Sequence, residues 1–134
     1  MRYLVIGAAM GAGLGLGLVS AAAAAETTLS AKLGGADASG MAKVRVDDKN
    51  QVCWDLTSKG LTEVTAAHIH KGAAGANGPP VVPFTGVDAT GASKGCAAAS
   101  ADVAKDLVAN PAGYYVNVHT KAAPAGAIRG QLGK

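Results

Sequence analysis

Aromatic side chains are scarce in this chain: once the first 25 residues are set aside, only Trp54, Phe84, Tyr114 and Tyr115 remain. A core must therefore be assembled from valine, leucine, isoleucine and alanine, and a chain this short buries only a modest area. Basic runs interleaved with aromatics are missing and the net charge is only +3, so the electrostatic footprint of a nucleic-acid binder is not there. Paired carboxylates are missing too. Asp47, Asp48, Asp55, Glu63, Asp88, Asp102 and Asp106 are scattered, so neither a two-carboxylate hydrolase nor a Ser/His/acid triad emerges. No internal repeat is evident. Histidine is scarce as well, with three in 134 residues.

The one long apolar run opens the chain. "MRYLVIGAAMGAGLGLGLVSAAAAAETT" combines a basic Arg2, an apolar glycine-rich middle and small residues at Ala23-Ala24-Ala25. That order predicts a secretory signal peptide over residues 1–25, and export to the periplasm or beyond. The rival, a retained anchor, lacks a basic stop-transfer cluster after the run, and no later stretch is long enough to span a bilayer. The remaining residues, 26–134, make one small domain. Its charge falls to +2, because Arg2 leaves and the leader holds no acid. In an exported protein Cys53 and Cys96 are expected to form a disulfide. Closing the 43-residue span between them stabilises the fold by ~4 kcal/mol in the chain-entropy view. The alternative is a pair of thiols, or one thiolate metal ligand.

Beyond the leader the apolar pattern has period two. "MAKVRVDD" alternates Ala42, Val44 and Val46 with Lys43, Arg45 and Asp47, as a half-buried strand does. "DDKNQ" reads as a hairpin turn, and "VCWDL" puts Val52, Trp54 and Leu56 on one face. "TAAHIH", "YYVNVHT" and "AIRGQL" are further strands. "TTLSAKL" and "PVVPF" complete about seven, the prolines pushing the last toward a sheet edge. Only "SADVAKDLVANPAG" reads as helix, capped by Ser100 or Asp102 and ended at Asn110-Pro111. The fold class is all-β: an antiparallel Greek-key β-sandwich or flattened barrel with one short connecting helix.

The histidines fall into this pattern as a group. His68 and His70 lie two apart on a strand and project to one face, while Ala67 and Ile69 project to the other. In the later strand Tyr114, Val116 and Val118 form the apolar face; Tyr115, Asn117 and His119 form the opposite one. All three histidines therefore fall on the non-core side. If the strands are neighbours, three imidazoles meet at a site suited to copper first and zinc second, with a coordination position left open. Asn117, or a backbone carbonyl of the loop that follows, would orient an imidazole through its other nitrogen. The plain alternative is a set of surface or cross-strand hydrogen-bonding histidines. "KGAAGANGPPV" reads first as a surface connection whose glycines permit tight turns, and second as a flap beside the histidines. Arg129 reads either as solvated surface or as a cation drawing a small anion toward them.

"GLTEVTAAHIHKGAAGANGPPVVPF" followed by "LVANPAGYYVNVHTKAAPAGAIRGQL" resembles the CHRD domain, a chordin-like module of secreted proteins. The resemblance covers nearly all of residues 26–134. It implies an extracellular or periplasmic setting, and protein interaction as one role for the module. A more distant resemblance is to the copper/zinc superoxide dismutases, a superoxide-dismutase-like sandwich with an H-x-H strand, a later strand ending in histidine and an arginine near the C-terminus. It implies that His68, His70 and His119 are copper ligands and that Arg129 guides an anion such as superoxide. The bridging histidine, the separate zinc site and the long metal-binding loop of those enzymes have no counterpart here, so the resemblance implies a metal site without that second zinc and does not carry dismutase activity over. Two functions follow: a copper-binding exported domain for metal handling or redox chemistry, or a non-catalytic interaction module whose histidines are structural and whose protein partner the sequence does not name.

Overall fold

The computed structural model describes residues 25–35 and 37–134, so the leader expected over residues 1–25 lies almost wholly outside them. The described residues form eight strands: β1 (Glu26–Gly35), β2 (Ala38–Asp47), β3 (Gln51–Lys59), β4 (Val64–Lys71), β5 (Pro80–Pro83), β6 (Ser93–Ala98), β7 (Tyr114–Thr120) and β8 (Ile128–Gln131). They join one antiparallel sheet in the order β5-β4-β7-β8-β1-β2-β3-β6. The connections β3–β4 and β6–β7 pass over intervening strands, as in a Greek key. The sheet curls until its two edges nearly meet, so of the two expected architectures the barrel is the one found.

Period-two patterning drives the closure. Leu29, Val44, Trp54, Ile69, Val116 and Val118 all turn inward and are almost fully buried. The β2–β3 turn forms because the Asp47 carboxylate accepts from the backbone N–H groups of Lys49 (2.9 Å) and Gln51 (2.8 Å). Asn50 takes the positive φ of 63° that the turn requires. A single α-helix, α1 (Ala101–Ala109), occupies the β6–β7 connection, with the Ser100 hydroxyl capping Val103 N–H at 3.2 Å. Asn110-Pro111 ends it, and a single 3₁₀ turn leads into β7.

The seam between the sheet edges is closed by side chains. Trp54 stacks on Phe84 with ring centroids 4.6 Å apart. The Trp54 indole N–H donates to Ser93 Oγ at 2.9 Å, and that hydroxyl donates to the Thr85 carbonyl at 2.7 Å. Ser93 opens β6, a strand that period-two reading does not find. "SKGCAA" is small and glycine-bearing, with no strong alternation, and it becomes a strand by pairing with β3. That pairing sets Cys53 directly opposite Cys96, and the two form a disulfide.

Candidate metal centre

The two histidine-bearing strands are neighbours. β4 and β7 run antiparallel with Ala66 opposite His119, His68 opposite Asn117 and His70 opposite Tyr115. Opposed residues share a face, so the three imidazoles gather on the outer side of the barrel wall. Ring centroids are 5.1 Å apart for His68–His119, 5.5 Å for His68–His70 and 5.6 Å for His70–His119.

Each imidazole presents a buried nitrogen with no hydrogen-bond partner in the protein: Nδ1 of His68, Nε2 of His70 and Nε2 of His119. One ligand atom from each ring lies within 4.8 Å of the others. Two of the rings are held by backbone carbonyls. His70 Nδ1 lies 2.9 Å from Gly78 O, and His119 Nδ1 lies 2.9 Å from Pro124 O. A carbonyl only accepts, so each Nδ1 carries a proton, and in the neutral ring Nε2 is then the nitrogen with the lone pair. The His68 pKa is lowered below its ordinary 6.5, first by burial and then by the charges of His119 and His70. The lowered value favours the neutral form of the His68 ring.

The donors fit a metal ion. Three nitrogens bound at 2.0–2.1 Å sit about 3.5 Å apart, so atoms within 4.8 Å of one another must draw closer to share one ion. Among the described residues this is the cluster of histidine, cysteine or acid side chains with such proximity. Cys53 and Cys96, joined as a disulfide, are not thiolate ligands.

The face carrying the site is not open surface. His70 is only 8 % exposed and Tyr115 2 %, beneath loop 72–79, and Asn117 is 4 % exposed, against Ala125 and Gly126. The Tyr115 ring lies parallel to His70 at 4.9 Å. Arg129, on β8, sets its guanidinium carbon 3.6 Å from the centre of the same ring. Since β7 lies between β4 and β8, Tyr115 is held between imidazole and guanidinium. Arg129 is thus separated from His70 by the Tyr115 ring, and two of its nitrogens donate to Asn77 Oδ1 (3.2 Å) and Ala76 O (2.7 Å). Of the two orienting groups expected, the backbone carbonyl is the one found. The Asn117 amide donates to Ala125 O at 3.1 Å instead, packed so closely against Gly126 that a Cβ there would overlap it. Tyr115 is the site residue that sequence reasoning missed; its position on the histidine face was the available signal.

The fold and this geometry accompany a family match. The CHRD domain matches residues 19–132. The chain belongs to the CHRD-domain family. Within it, "AAHIHKG" and "YYVNVHT" are the two segments that build the histidine cluster of this CHRD domain. No curated protein matches the chain.

Proposed function

We propose that this CHRD domain is exported and binds one copper ion through His68 Nδ1, His70 Nε2 and His119 Nε2. The observation that carries the reading is a cluster of three imidazoles, with one ligand atom of each within 4.8 Å of the others, in which every ring also has a buried nitrogen without a partner. Leaving three polar atoms buried without partners costs roughly 1–3 kcal/mol each, and a shared ion removes that cost. Neutral imidazoles alone, with no thiolate or carboxylate, favour Cu(II) over zinc in the usual affinity order. The disulfide suits an oxidising compartment. A bound copper ion would supply one-electron chemistry, for metal handling or for reaction with a small anion such as superoxide. The chain's own part is to hold two imidazoles in one tautomer, to exclude water from His70, and to keep the Arg129 charge nearby as an attraction for anions.

Titrating the folded protein with Cu(II), followed by electron paramagnetic resonance, tests this. One equivalent is expected to bind with nitrogen hyperfine structure, and His70→Ala is expected to abolish uptake at micromolar metal. No uptake, or uptake unaffected by the substitution, removes the copper reading. What would remain is an interaction module whose histidines only pack.

A further inference from the structure

Loop 72–79 has almost no side chains with which to hold itself down. It contains Gly72, Gly75 and Gly78, and its alanines and Asn77 are exposed. Yet it supplies the carbonyl that sets the proton on His70. Main-chain bonds fasten its ends, Lys71 N–H to Pro79 O at 3.0 Å and Gly72 N–H to Gly113 O at 2.8 Å, and side chains from β7 and β8 hold the stretch between. Gln131 Nε2 donates to Gly72 O at 3.1 Å, as well as to Ala112 O (2.7 Å) and Tyr114 O (3.2 Å). Arg129 grips the middle of the loop through Ala76 O and Asn77 Oδ1. Tyr115 Oη accepts from Gly78 N–H at 3.1 Å. Gly78 itself tolerates no side chain, since a Cβ there would overlap the Lys71 carbonyl.

We propose that Arg129 and Gln131 are positioning residues for the metal centre: they pin loop 72–79 so that the Gly78 carbonyl keeps His70 in the Nδ1–H tautomer, with Nε2 free toward the other two histidines. The purpose of this device rests on the metal reading above; the device itself does not. Arg129 suits the task because its planar fork reaches two acceptors at once while its face lies on Tyr115. Lysine would keep the charge and lose the fork. His119 has no share in the loop, being held by Pro124 O, and so acts as an internal reference.

Imidazole ¹⁵N–¹H correlation spectra of the metal-free protein read each tautomer directly. In the unsubstituted protein His70 and His119 are both expected as Nδ1–H. In Arg129→Lys, His70 is expected to shift to a mixture of tautomers while His119 stays, and Cu(II) affinity falls about 10–100-fold, the usual effect of losing a partner behind a ligand. Asn77→Ala, an exposed substitution that leaves the core untouched, is expected to act in the same direction more weakly and covers the case in which Arg129→Lys fails to fold. A His70 tautomer unmoved in both variants overturns the proposal, even if the protein binds copper. A tautomer that moves in a protein taking up no copper supports the positioning device and sinks the metal reading alone.

Discussion

Tyr114 and Tyr115 are adjacent in sequence and face opposite sides of β7, where they meet different chemistry. Tyr115 stacks between His70 and Arg129 on the outer face. Tyr114 points inward, 1 % exposed, and its hydroxyl donates to Asp106 Oδ2 at 2.6 Å, tying α1 to β7. Burial, and then the hydrogen bond and charge of Asp106, push its pKa from 10.0 to about 12. The unfolded chain therefore releases this proton first. The stability it contributes is complete below pH 10 and declines as pH rises toward 12. Denaturation midpoints measured from pH 8 to 12 should show that decline, and Tyr114→Phe should remove this component. The same substitution should cost roughly 1 kcal/mol at neutral pH through the lost hydrogen bond. An identical alkaline limb in both proteins would assign it elsewhere.

At the scale of elements, the weakest join is the seam between β5 and β6. No backbone ladder pairs these strands, and the relay from Trp54 through Ser93 to Thr85 bridges the gap. Ser93→Ala leaves the buried indole N–H and the Thr85 carbonyl without a protein partner. A loss of about 1–3 kcal/mol is expected. Trp54 is the sole tryptophan, so its fluorescence reports both the unfolding midpoint and any loosening of the seam before unfolding. An unchanged midpoint would show that water replaces the hydroxyl. β5 lies at this edge for the reason its prolines suggested: Pro80 and Pro83 lack an N–H for a second neighbour.

For the whole molecule, the Cys53–Cys96 bond stands in for core volume that a small aromatic-poor chain does not have. It lies toward the outside of β3 and β6, with Cys96 exposed, so replacing it disturbs little packing. The double variant Cys53→Ser, Cys96→Ser should lose up to ~4 kcal/mol in urea unfolding, through the entropy of the freed 43-residue span. The proposed copper uptake should be unchanged in the remaining folded fraction, because β4 and β7 do not pair with either cysteine strand. A weakened site with unaltered stability would contradict this division.

Much of this was legible in the chain. Alternating apolar residues determine seven strands and which way each side chain faces, because side-chain direction along a strand is a local property. They also put all three histidines on the non-core face, and Ser100 and Pro111 bound the helix locally. Strand β6 was not legible, because its small residues take their conformation from β3. That β4 and β7 are neighbours was not legible either: strand order is a long-range choice settled by closing the barrel over its core. The same holds for the roof over the histidines. Arg129 lies 52 and 53 positions along the chain from the Asn77 and Ala76 it grips, and local spacing carries no information about such a contact. The sequence by itself determined which groups face outward together; only the tertiary structure decided that three imidazoles meet, that a backbone carbonyl sets the His70 proton, and that Arg129 lies one ring away.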